Sequence, residues 1–197
     1  SRVLKALYYV FYTILLLSFI CLIGHKIFSD ITYDELAIKK DMLVSAQLRA
    51  FYVIRIETTS RGGALQIAGA LVADSIAYLS VLELIDVSHT WVAELINANQ
   101  QIINKIDYLE SDIKAELFKK DVKVVGTYLN SSEPTSTEMT SFQAIDEIQL
   151  SFQRLYSLER AELLGNPGYQ LFSYIALNCV NDLVTKNLEI TDLFIET

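Results

Sequence analysis

From Ala6 to Gly24 the chain reads ALYYVFYTILLLSFICLIG, a run with no charged side chain, fenced by Lys5 on one side and His25-Lys26 on the other. As a helix rising about 1.5 Å per residue it covers roughly 28 Å, close to the ~30 Å hydrocarbon core of a bilayer. The hydrophobic region of a secretory signal is shorter, about 7–15 residues, and ends in a small-x-small cleavage pattern that Gly24-His25-Lys26 does not supply. A helix buried in a soluble core usually keeps a polar face, and this run has none. Tyr8, Tyr9 and Tyr12 gather towards one end as interfacial aromatics do, and Lys26 can snorkel at the other. The pattern predicts a transmembrane helix over residues 3–27, followed by a helical domain over residues 28–197.

Beyond it, FSDITYDELAIKKDML mixes charges and shows no clean period before Leu43. LVSAQLRAFYVIRIE then predicts a helix, with Leu48, Phe51 or Tyr52, and Ile56 spaced by three or four, interrupted at Gly62-Gly63. The next stretch, GGALQIAGALVADSIAYLSVLELID, is nearly free of charge, with Asp74 at its middle and Glu83 near its end. A second membrane crossing there would place a carboxylate near the bilayer centre, at a cost of several kcal/mol. Ala68, Gly69 and Ala73 suit close packing, so a buried helix of the soluble part is the expectation. From about Ser88, Val92, Leu95, Asn99, Ile102, Ile106, Leu109 and Ile113 follow in steps of three and four, widened by Ile96, Ile103 and Leu117. Glu94, Lys105, Glu110, Asp112 and Lys114 lie opposite. This predicts one long bundle helix ending near Lys119-Lys120, cations suited to the negative end of its dipole. Asn99 inside the apolar stripe reads as a register-fixing polar position, with a ligand contact as the alternative.

VKVVGTYL, rich in β-branched residues, predicts a short extended segment near Val122–Tyr128, and NSSEPTSTEMT a polar loop. Thr140-x-x-Gln143 has the form of a capping box, opening a helix with Ile145, Ile148, Phe152 and Leu155 on one face. LLGNPGYQ predicts a tight helix hairpin, with Gly165 just past one helix, Asn166 as the next N-cap and Pro167 in its first turn. The last helix runs from about Gly168 almost to the end, Leu177, Val180, Val184, Leu188 and Ile195 lining one face. The fold class expected is mainly α: an N-terminal transmembrane helix, then an antiparallel bundle of about four long helices with one short extended segment. No repeat of solenoid period is present.

Composition narrows the function. A net charge of −8 argues against a nucleic-acid partner, which needs clustered Lys and Arg, and no polybasic run is present to hold anionic lipid. Seven Gly and two Pro in 197 residues leave few tight turns, which favours long helices over a many-stranded sheet. Cys21 lies in the apolar run and Cys179 in the last helix, so both read as free thiols. His25 and His89 have no metal-ligand spacing. No nucleophile–base pair, phosphate loop or G-x-G-x-x-G is present, and Asp107, Glu110 and Asp112 read as a solvated helix face. The expectation is therefore a protein without enzymatic activity, catalytic residues, metal site or cofactor. Arg49, Arg55 and Arg61, near Phe51 and Tyr52, have the chemistry to receive a carboxylate bidentately. Arg49 and Arg55 are six apart and share no helix face well, so solvent-facing or membrane-proximal positions are expected. Asn130-Ser131-Ser132 is an N-x-[ST] tripeptide in the polar loop, which makes Asn130 the glycosylation candidate if that loop faces a secretory lumen.

LRAFYVIRIE soon after the span, then VAELINANQQIINKI, then YIALNCVNDLVTKNLEITDLFIE are similar, in that order, to stretches of the tiny-macrocysts-like family of large ciliate multi-pass membrane proteins. The resemblance covers most of the chain and implies a helical sensory or linker region between membrane spans, with PAS modules elsewhere in the parent protein. It carries over no functional residue, and nothing in this chain looks like the five-stranded sheet of PAS itself. The function expected is a non-enzymatic extracytoplasmic sensing or signal-relay module of an integral membrane protein. The alternative is a single-span structural subunit of a membrane complex, docked through the apolar stretch Ala64–Ile85. The expected partners are the lipid bilayer, neighbouring membrane helices of the same or another chain, and a small ligand whose contact residues the sequence does not name; no nucleic acid is expected.

Overall fold

The computed structural model describes residues 2–71, 79–126 and 136–196. Among the described residues the protein is mainly helical, with one two-stranded sheet: α1 Arg2–Ile67, α2 Val81–Asn104, α3 Ser111–Leu117, β1 Val122–Val125, β2 Ser136–Met139, α4 Ser141–Ser157, α5 Arg160–Leu163, α6 Asn166–Asn178 and α7 Val184–Glu196. The chain divides into two compact units, Ser1–Asp41 and Met42–Thr197.

In the first unit every side chain from Phe11 to Phe28 is exposed. Leu22, for example, keeps 67% of its surface open. α1 is long and apolar enough in this part to cross a membrane. The charged stretch after Phe28, which shows no clean period in the sequence, is helical. It holds good helix formers such as Glu35, Leu36, Ala37, Lys39 and Lys40, and no Gly or Pro. Mixed charge without a period marks a helix that buries no stripe, not a break in it.

In the second unit α1 supplies Met42, Ala46, Arg49, Val53, Ile56, Ser60 and Gly63, a buried line at alternating steps of four and three. Gly62-Gly63 does not interrupt the helix, contrary to the expectation from sequence. A Cβ on Gly63 would sit 2.9 Å from the Phe172 ring, so the missing side chain admits close approach of α6 to α1. That approach offsets the ~0.5–1 kcal/mol that a mid-helix glycine costs. The stop comes at Gly69, in the left-handed region at φ 72°. Ala70 N–H donates to Leu65 O at 2.9 Å and Gly69 N–H to Gln66 O at 3.0 Å, the paired bonds of a Schellman motif.

The stretch read as one buried helix over Gly62–Asp86 is therefore the end of α1 and the beginning of α2. Asp74 and the residues around it lie outside the described residues. α2 opens at Ser80 rather than near Ser88. Ser80 Oγ accepts from Glu83 N–H while a Glu83 carboxylate oxygen accepts from Ser80 N–H, a capping box inside an apolar run. The helix expected to reach Lys119-Lys120 ends at Asn104, and a 3₁₀ turn over Ile106–Tyr108 leads to α3. The apolar spacing survives the turn, because Ile113 and Leu117 are buried again, and so the period hides the break.

β1 and β2 pair antiparallel, Val122 opposite Met139 and Val125 opposite Ser136. The polar stretch read as a loop thus contains a strand, whose exposed side chains gave no alternation to detect. α4 begins with the expected box: Gln143 N–H to Thr140 Oγ1, 3.2 Å, and Thr140 N–H to Gln143 Oε1, 3.1 Å. Ile145, Ile148, Phe152 and Leu155 are buried and meet Val53, Ile56, Leu95, Phe172, Ile175 and Leu183 in the core. The hairpin before α6 contains the short helix α5, and Gly165, not Asn166, is the N-cap of α6. A one-turn π segment, Cys179–Leu183, joins α6 to α7.

Candidate functional site

That junction carries the first surface of interest. The face of the last helix drawn from sequence spacing is the open one: Leu177, Val180, Leu188 and Ile195 are 37%, 41%, 47% and 61% exposed. Phe172, Ile175, Cys179, Leu183 and Ile190 are the residues that enter the core. Both sets are spaced by steps of three and four, so period alone does not say which face of a helix that is apolar nearly all round in its first half turns inward. The open face lines two adjoining clefts with α1. One, about 430 Å³, is bounded by Ile54, Glu57, Thr58, Arg61, Val180 and Val184. The other, about 320 Å³, shares Arg61 and Val180 and extends past Leu65 to Tyr169 and Leu177. Arg61 is ion-paired with Glu57 one turn earlier on α1 and closes the polar side of the groove.

The three weighed arginines separate. Arg55 lies over the rings of Phe51, 5.1 Å, and Trp91, 5.7 Å, at the surface. Arg49 is not solvent-facing, as expected, but fully buried, at 0% exposure. Its Nη2 donates to Ser141 Oγ at 2.9 Å, and its guanidinium stacks 4.7 Å from the Phe142 ring centroid. Nε and Nη1 have no hydrogen-bond partner. Burial pulls the guanidinium pKa down to about 9, well below its ordinary value. Its place in sequence carried the signal: position 49 falls on the same line of steps as Met42, Ala46 and Val53. Nothing local pointed to Ser141 or Phe142, which belong to the first turn of α4.

Two polar nodes that the sequence did not reveal hold the sheet and α7. Lys186, only 3% exposed, reaches Glu116 at 2.5 Å, Asp121 at 2.8 Å and Glu189 at 3.7 Å. Asn178, at the end of α6, accepts from Val125 N–H at 2.7 Å and donates to Val125 O at 3.2 Å. Asp182 accepts from Lys123 N–H at 3.1 Å. Together these side chains pair the edge of β1 that β2 leaves open, which protects it from edge-to-edge association.

Asn99 is buried with its Oδ1 unpartnered, and His89 packs edge-on against Tyr156 with ring centroids 5.2 Å apart. Cys21 is an exposed free thiol. Cys179 is buried, and burial followed by the charge of Glu57 pushes its pKa up, which keeps it protonated and unreactive. Among the described residues no three His, Cys, Asp or Glu side chains are grouped to hold a metal. Asn130 lies outside the described residues. No protein-family model matches the chain, and no curated protein or solved structure does either.

Proposed function

We propose that this chain is a non-enzymatic helical module of an integral membrane protein, placed outside the cytoplasm, that senses or relays a signal to its membrane segment. The supporting observation is the extent of α1. A single helix, Arg2–Ile67, contains the exposed, mostly apolar run from Phe11 to Phe28 and also the core positions Met42, Ala46, Val53 and Ile56. In this reading residues 3–27 span the bilayer, and the second unit is an antiparallel bundle of about four long helices. A ligand or partner that shifts α6 or α7 against α1 acts on the same helix that enters the membrane, and small helix shifts of this kind are a recognised means of relay. The resemblance to helical regions between the spans of ciliate multi-pass proteins agrees with it.

The groove between α1 and α6–α7 favours a second reading, a structural subunit whose open apolar face docks on a neighbouring helix. Topology is the decisive test for the first. Expressed in a glycosylating host within its full-length gene, the protein should show a glycosidase-sensitive mass shift that Asn130→Gln abolishes. In sealed vesicles the second unit should resist protease added from the cytoplasmic side, and its complete digestion there would overturn the sensor reading. Signalling domains across the membrane, together with ligand-dependent stabilisation, separate a sensor from a subunit.

A further inference from the structure

Arg49 is placed where a lone cation is least at ease. Its guanidinium is fully buried and lies against the first turn of α4, where backbone N–H groups already concentrate partial positive charge. The cap consumes only part of that turn. Thr140 Oγ1 takes Gln143 N–H, Thr140 O takes Ala144 N–H, and the N–H groups of Ser141 and Phe142 have no acceptor within the helix. Ser141 Oγ receives one N–H of Nη2, and the Phe142 ring covers one face of the guanidinium. Nε and Nη1 are left with no acceptor, although a buried arginine ordinarily fills its donors with oxygen.

We propose that the Arg49 guanidinium and the first turn of α4 form a binding site for a small oxyanion, of which a carboxylate is the simplest member. Anions at helix N-termini gain from the oriented N–H groups and from the dipole, and a guanidinium adds charge-assisted bonds at fixed geometry. Access lies along the aromatic stack. Phe142 is packed between Arg49 and Phe118, whose ring centroid is 5.5 Å from its own, and Phe118 is 51% exposed at the end of α3. The ring that covers the guanidinium is thus itself in contact with a half-exposed ring at the surface. The site joins α1 to α4, and it stands whether the protein relays a signal or scaffolds a complex.

The test uses the full chain in detergent. Its thermal unfolding is followed while sodium formate or sodium phosphate is titrated at ionic strength held constant. A bound anion raises Tm with the logarithm of its concentration once that exceeds its dissociation constant, by about 3–6 °C at roughly ten times that constant. Arg49→Met, which keeps the stem and removes the charge, should abolish this anion-specific rise and leave only the general salt response. Ser141→Asp places a carboxylate beside Arg49 at the N1 position of α4. This variant should be more stable than the parent without added anion and indifferent to formate. An Arg49-dependent rise with formate alone assigns a carboxylate ligand, and one with phosphate alone a phosphate-type oxyanion. A response equal in the parent and Arg49→Met overturns the proposal. If Arg49→Met does not fold, a Ser141→Asp chain that is destabilised, or that keeps the formate response, overturns it equally.

Discussion

Neutralising the acids around Lys186 should cost more stability than removing Lys186 itself. The ammonium side chain is 3% exposed, whereas Glu116 and Asp121 keep 38% and 31% of their side-chain surface in solvent. Lys186→Met leaves two carboxylates that water can still solvate, a loss of about 1 kcal/mol. Glu116→Gln with Asp121→Asn leaves a nearly buried ammonium facing two neutral amides, with only the exposed Glu189 carboxylate at 3.7 Å still opposite it. Breaking a buried pair in that way costs ~3–5 kcal/mol, and partial exposure of the acids reduces it to about 2–4 kcal/mol. For a domain of this size that is a fall in Tm of roughly 5–15 °C, against about 2–4 °C for Lys186→Met. The triple variant should return close to Lys186→Met, because no buried charge is then stranded. Thermal and denaturant unfolding of the four chains measure this. Equal costs for the single and double variants, or a triple variant in which the costs simply add, would refute the asymmetry.

The same node has a pH signature. The hydrogen bond from Lys186 lowers the pKa of Glu116, with burial opposing it. A lowered carboxylate contributes stability above its unfolded value near 4.5 and loses it as pH falls through the folded value. For Lys186 burial alone would lower the pKa, but hydrogen bonds to Asp121 and Glu116 and their charges outweigh it and leave it raised. That contribution is complete below 10.5 and disappears as pH rises through the folded value. The advantage of the parent over Lys186→Met should thus be flat between about pH 5 and pH 10 and shrink at both ends. Further variants probe the backbone contacts. A Cβ on Gly168 would lie 1.9 Å from Leu163 O, so Gly168→Ala must displace α5 from α6 and should cost about 3 kcal/mol or more by denaturant unfolding. Gly63→Ala meets the buried Phe172 ring at 2.9 Å and should cost about 1–3 kcal/mol, while Gly62→Ala, whose Cβ would lie at an ordinary 3.6 Å from Leu84, should stabilise by about 0.5–1 kcal/mol. Asn178→Ala strands Val125 N–H and C=O and should cost about 2–3 kcal/mol, with faster amide exchange at Val125 than in the parent.

Features set by neighbours along the chain are legible in the sequence alone. The uncharged run after Lys5 needs only its own side chains to be long and apolar enough for a bilayer, and α1 contains it. The box at Thr140 and Gln143 closes within three residues, and the face Ile145, Ile148, Phe152 and Leu155 follows from the period of an uninterrupted helix. Tertiary contact decided the rest. Gly62-Gly63 reads as punctuation until Phe172 arrives to occupy the space beside Gly63. Ser136–Met139 is polar enough for a loop and becomes a strand because β1 offers it hydrogen bonds. The open line Leu177, Val180, Leu188 and the core line Ile175, Cys179, Leu183 have the same helical spacing, and only packing in the core chose between them. Arg49 shows the division within one residue. Its spacing placed it on the inward line of α1, but its partners, Ser141 and Phe142, lie more than ninety residues away in sequence, and only the folded chain brings a helix N-terminus to a buried guanidinium.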